Sequence, residues 1–343
     1  MKYGFTLALV FVFYSGCSYT PECSHPRSGE LANPSGLIEY NGSLYIINAD
    51  TSMKFCLGYI SEMNTETGDI TGQWEAGKEG SGFMARVGLW KNEGIGYMLI
   101  TERNGNSLLS FNLDNKSVDW QINTGEDPFG IAVDDSRNLA LITDLQQNSI
   151  AVFDLVNQRE VGRIVLPISV HGYRPTSIVI SPDYKTAYIS GELGAYIVRM
   201  DIENMAIYSE SINLAGSLTG LDTRGLALND ETLYAAMRTP PAVGVIDTAT
   251  GGIINFVPLR DKPAGIAIDG SGRYIFVTEY SKNTLFVIES ATGNIVRDIT
   301  TGDGPEEVIV TQDGRFVFTA NFRGNSISRV EVGTWDVKEF PSQ

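Results

Sequence analysis

Oxygen-bearing side chains recur at one point of a repeated motif in this 343-residue chain: Glu102, Asp144, Glu279 and Asn321. The first three follow a threonine and the fourth an alanine, each at the end of a short, mostly apolar run. Three carboxylates and an amide oxygen in one cavity would suit a hard cation such as Ca²⁺, which is bound by oxygen ligands. That is a metal-dependent, lactonase-like reading, and it requires distant repeats to converge on one channel. A second set is cationic and aromatic. Arg86, Phe129, Arg174, Arg224 and Lys262 stand where repeats open. Arg103, Glu192, Arg238, Tyr280 and Arg323 follow at or near the carboxylate position. A mixed rim of guanidinium, carboxylate and aromatic groups suits recognition of a polar small molecule or a peptide.

Other chemistries lack their residues. Two histidines, His25 and His171, are too few for a haem or copper enzyme. No Gly-x-Ser-x-Gly elbow, no Cys-x-x-Cys and no Walker-type phosphate loop occurs. A formal net charge of −16 repels nucleic-acid phosphates and anionic lipids. A polyanion reading would rest on Arg86, Arg103, Arg174, Arg224 and Arg238 against that field. The expectation is therefore binding without catalysis and without a cofactor, Ca²⁺ entering only with the hydrolase alternative.

The elements that must position these residues repeat along the chain. One unit opens with Pro263-Ala-Gly-Ile-Ala-Ile, turns, continues as Tyr274-Ile-Phe-Val-Thr-Glu, then Leu285-Phe-Val-Ile, and ends with Ile295-Val-Arg-Asp-Ile after Thr292-Gly293. The opening recurs at residues 34, 84, 128, 175, 223, 263 and 305, at intervals of 50, 44, 47, 48, 40 and 42. Such a period fits four-stranded propeller blades. Short apolar runs read as inner strands, and alternating apolar and polar residues read as outer strands. Asp313-Gly314 marks a hairpin. No helical pattern of useful length interrupts them. The fold class is all-β, a seven-bladed β-propeller of four-stranded antiparallel blades over residues 34–343. Complete first and last units favour a ring closed without exchanging a strand.

The pattern Pro-x-Gly, Asp-Gly-Arg, aromatic-x-Val-Thr and Val-Ile-x-x-x-Thr-Gly resembles the YVTN-type repeat of exported, YncE-like bacterial propellers. The likeness is strongest over residues 263–331, fair over 126–260 and weakest over 34–125. Asn321 matches the repeat's asparagine, which Asp144 and Glu279 replace with acids. The resemblance implies the fold and says little about activity, because propellers host many functions.

The N-terminus carries Lys2, an apolar run from Phe5 to Tyr14, then Ser15-Gly16-Cys17. The run is too short to span a bilayer and suits a secretory signal. Its end is similar to a bacterial lipobox, with Tyr14 where Leu is commoner. This implies a signal peptide over 1–16, lipidation of Cys17 and a tether over 17–33. Ser18 implies sorting to the outer membrane or cell surface. Export permits a disulfide, and Cys23 is expected to pair with Cys56. The chain is expected to be monomeric, attached to the membrane only by its lipid, with an envelope protein or a small extracytoplasmic ligand as partner.

Overall fold

The computed structural model describes residues 27–51, 57–77, 84–166, 173–194, 196–214 and 222–341. Within them seven antiparallel sheets form a ring, with no helix among the described residues. The molecule is a seven-bladed β-propeller. The inner strands begin at Pro34, Met84, Pro128, Pro175, Thr223, Pro263 and Pro305, the seven positions at which the repeats open. Blade 1 comprises Pro34–Tyr40, Ser43–Asn48, Gly58–Asn64 and Ile70–Ala76, and blade 7 comprises Pro305–Val310, Phe316–Asn321, Ser326–Glu331 and Val337–Pro341. Each is built from consecutive strands, so the ring closes without exchange. Blade 4 departs from the pattern: its outer strand is split into Ala206–Ile207 and Ile212–Asn213, both paired with Tyr196–Asp201.

Side chains close the ring instead. Leu31, Leu37 and Ile46 pack with Phe316, Phe318 and Ile327 across the seam of blades 7 and 1. Arg329 donates to the Thr65 carbonyl at 2.8 Å and lies 4.5 Å over the Phe316 ring. The N–H of Asn33 donates to Asn325 Oδ1 at 2.8 Å. Leu31 and Ala32 are buried, so the end of the expected tether packs as part of the ring. Residues 17–26 of the tether, with Cys17 and Cys23, and also Cys56, lie outside the described residues.

The core consists of apolar slabs at the seams between blades. Phe276, Leu285 and Val287 face Val308, Val317 and Val330, for example, at the seam of blades 6 and 7. Burying each such side chain contributes roughly 1.5–3 kcal/mol before the entropy of ordering it is counted. At the axis the inner strands approach closely, which explains the Pro-x-Gly motif. A Cβ on Gly130 would meet the Thr176 carbonyl oxygen at 2.5 Å, and one on Gly265 the Glu306 carbonyl oxygen at 2.7 Å.

Each inner strand also bulges just after it starts. Ala85 and Arg86 lie opposite Thr101, Phe129 and Gly130 opposite Thr143, and Ala264 and Gly265 opposite Thr278. The extra residue leaves an N–H without a ladder partner. The threonine hydroxyl accepts it: from Arg86 at 3.1 Å, Gly130 at 2.7 Å and Gly265 at 2.7 Å. This accounts for the threonine before each acid.

Candidate functional site

The carboxylate position ends the second strand, opposite the first residue of the inner strand. Met84 faces Glu102, Pro128 faces Asp144, Pro263 faces Glu279 and Pro305 faces Asn321. All four side chains are buried, and each turns into its own blade. Glu102 accepts from Ser107 Oγ at 2.6 Å and Gln121 Nε2 at 2.7 Å. Asp144 accepts from the Gln147 N–H at 2.8 Å and from Arg163 at 3.3 Å. Glu279 accepts from the Asp261 N–H at 2.6 Å. Asn321 donates to Ser326 and Ser328 at 2.9 Å each.

The expected shared cation ring of Glu102, Asp144, Glu279 and Asn321 is therefore corrected. These groups tie the second strand to the third and outer strands or to the loop entering the blade. Among the described residues no three of His, Cys, Asp and Glu cluster in a way that could hold a metal ion. Asp144 and Asn321 likewise leave the set of mouth residues. The reason is the period of a strand: neighbouring residues face opposite sides, so Arg103 and Tyr280, after Glu102 and Glu279, reach the rim, while Leu145, after Asp144, packs with Phe129. Blade 1 carries the same tie in Asn48, which the sequence pattern missed; its amide accepts from the Ala32 N–H at 3.0 Å and donates to Ser61 at 3.2 Å.

The cationic residues do gather at the mouth. Phe129 is only 3% exposed, and three guanidiniums surround its ring: Arg86 at 4.8 Å, Arg103 at 5.2 Å and Arg224 at 5.2 Å. They come from blades 2 and 5, so the cluster spans the axis. Arg86 pairs with Glu307 at 3.1 Å and Glu306 at 3.3 Å. Arg224 pairs with Glu192 at 2.6 Å and approaches Glu306 at 4.0 Å. Arg174 holds the other oxygen of Glu192 at 2.9 Å. Arg103 is held by both oxygens of Asp127. Arg238 pairs with Asp222 at 3.3 Å. Arg323 pairs with Asp303 at 2.7 Å and lies 4.7 Å over Tyr280.

Burial and pairing oppose each other across this network. Burial pulls the Glu192 carboxyl up, but Arg174 and Arg224 outweigh it and hold it below the usual carboxylate range. For Asp222 burial wins over Arg238 and Arg224, and the carboxyl is pushed up. Glu307 is likewise pushed up by burial in the channel, with Arg86 opposing. Burial depresses the Arg224 guanidinium, with Glu306 resisting.

The anions Asp127, Asp222, Asp303 and Glu307 were not singled out from sequence. Two carried a signal: Asp127 and Asp222 immediately precede an inner strand. Glu307 carried another. It stands third in its inner strand, where Gly130, Gly225 and Gly265 stand in theirs, and Arg86 is the opposite charge at that same place in blade 2.

Two cavities lie in the channel and at its mouth among the described residues. One, about 150 Å³, lies in the channel and is lined by Arg86, Gly130, Thr176, Gly225 and Glu307 among others. The other, about 260 Å³, opens at the mouth over blades 5 to 7 and is lined by Arg224, Arg238, Lys262, Tyr280, Ser281 and Glu306, with Pro263 and Ala264.

No family model and no curated protein matches the chain. Among solved structures it is similar to a catalytically inactive virginiamycin B lyase from Staphylococcus aureus with quinupristin, at 18% identity and a TM-score of 0.72, over 89% of this chain and 97% of that one. A selenomethionine-substituted virginiamycin B lyase from the same organism matches at 17% identity and a TM-score of 0.64, over 75% of this chain and 84% of that one. At this identity the likeness establishes the shared propeller fold.

Proposed function

We propose that the chain is an exported, lipid-anchored propeller of the YVTN type that binds a ligand at its mouth without transforming it. The observation that carries this reading is the mouth itself: a pre-formed cavity of about 260 Å³ beside a rim whose guanidiniums are already held by carboxylates. Such a rim is rigid, and a pre-organised polar pocket of this kind favours recognition. The lipobox-like Ser15-Gly16-Cys17 supports an anchor on the envelope, with the propeller facing outward on the tether. The likeness to a lyase supplies the competing reading.

One experiment separates the two. The soluble form starting at Ser18 is incubated with quinupristin and with a panel of small polar compounds, and its melting temperature and the recovered compounds are measured. Anything bound by the native state alone raises the melting temperature. The account predicts at least one compound whose shift disappears in Tyr280→Ala and which mass spectrometry recovers intact. Cleaved quinupristin, or a panel with no mouth-dependent shift, contradicts it. For the anchor, Cys17→Ser is expected to move the protein from the membrane to the soluble fraction; unchanged fractionation removes the lipoprotein assignment.

A further inference from the structure

In blades 4 and 5 two equivalent positions of the rim carry opposite charges. One residue immediately precedes the inner strand; the other follows the residue paired with that strand's first residue. In blade 4 these are Arg174 and Glu192: the Glu192 N–H donates to the Arg174 carbonyl at 3.1 Å, and the side chains pair at 2.9 Å. In blade 5 they are Asp222 and Arg238: the backbones bond at 2.7 Å and the side chains at 3.3 Å. The signs are exchanged, and in both blades the two side chains pair.

Blade 6 differs from these two. Pro263 faces Glu279 just as Pro175 faces Gly191, so the equivalent residues are Lys262 and Tyr280. A phenol does not neutralise an ammonium. Lys262 is exposed, and among the described residues its ammonium has no carboxylate partner. It lines the 260 Å³ cavity with Arg224, Arg238, Tyr280, Ser281 and Glu306. Glu306 is already shared between Arg86 and Arg224. Asp222, the partner of Arg238, keeps one carboxylate oxygen buried without a hydrogen bond. The Tyr280 hydroxyl and the Ser281 hydroxyl have no partner among the described residues and add two neutral donors at the same cavity. The surplus of positive charge runs against a molecule whose formal net charge is −16.

We propose that this cavity is a subsite for a compact oxyanion, the carboxylate or phosphate of a small ligand, held between Lys262 and Arg238 with the ligand's body against Tyr280. The proposal rests on the mouth-binding reading above and names the chemistry of what is bound. Guanidinium and ammonium donors give charge-assisted hydrogen bonds to such a group.

The test uses the soluble form at low ionic strength, with succinate, inorganic phosphate and the neutral isostere succinamide as probes. Either anion is expected to raise the melting temperature by about 3 °C at tens of millimolar, falling as chloride is added. A larger shift from succinate assigns a carboxylate; a larger shift from phosphate assigns a phosphoryl group. Succinamide is expected to do nothing. Lys262→Gln and Arg238→Gln should each lose the shift, whereas Arg159→Gln, on the outer strand of blade 3, should keep it. An equal shift from succinamide, a shift retained in Lys262→Gln, or no shift from either anion overturns the proposal. If a neutral compound still shows a shift that Tyr280→Ala removes, mouth binding stands and only the anion assignment falls; if nothing depends on the mouth, both fall.

Discussion

The two sides of the mouth use the same residue types to opposite effect. Toward blades 2 to 4 the guanidiniums of Arg86, Arg103 and Arg224 converge on Phe129, and Asp127, Glu192, Glu306 and Glu307 hold them in place. Over blades 5 to 7 a cavity remains, lined by Lys262 and Tyr280, which stand where blade 4 has Arg174 and Glu192. On the proposed reading, the contrast bears on what makes a binding surface here. It is the number of charges left uncompensated by the rim, rather than the number of charges on it.

The largest expected effect comes from emptying the filled side. Phe129→Ala should cost about 3–4 kcal/mol, since it removes a buried ring and the surface on which three guanidiniums rest. Denaturant melts would show it, and a loss under 1 kcal/mol would mean that the charges alone shape that side. Arg224→Met should cost less, about 2 kcal/mol, because Glu192 keeps Arg174 and Glu306 keeps Arg86. A stabilised variant would show that Arg224 is retained for a ligand instead of for the ring.

Titration sharpens the contrast further. Glu192 has a lowered carboxyl pKa, so its contribution is present above the unfolded-state value and is lost as pH falls through the lower folded-state value. Asp222 has a raised one, so the stability it confers when protonated is present below the unfolded-state value and is lost as pH rises through the higher folded-state value. Glu192→Gln should therefore destabilise by about 1–2 kcal/mol at neutral pH, with the difference shrinking in acid. Asp222→Asn should be neutral or stabilising by about 1 kcal/mol at neutral pH, and its relative advantage should vanish in acid. Parallel pH curves for the two variants would break the comparison.

Much of this architecture was legible in the sequence. All seven openings mark the true starts of the inner strands, and in those at Pro128 and Pro263 the third residue is glycine because a Cβ on Gly130 or Gly265 would meet the next blade's backbone. The broken outer strand of blade 4 was not legible, since edge strands bury little and leave a weak pattern. At the site the sequence identified the correct rung and the wrong face. Glu279 and Tyr280 are neighbours, yet Glu279 turns into its blade while Tyr280 lines the mouth. Repeat position is read along the chain, whereas facing follows the alternation of the strand, which puts the mouth residue one place after the acid that the repeat makes conspicuous.

The central claim is that an unmatched ammonium in blade 6 makes the site, and Tyr280→Glu tests it most directly by giving Lys262 the partner that Arg174 already has. Calorimetric titration of succinate into the wild type and this variant, with matched melting temperatures as the folding control, would decide it. The account predicts heat of binding in the wild type and none in Tyr280→Glu. Equal binding by both, or binding by the variant alone, would contradict it.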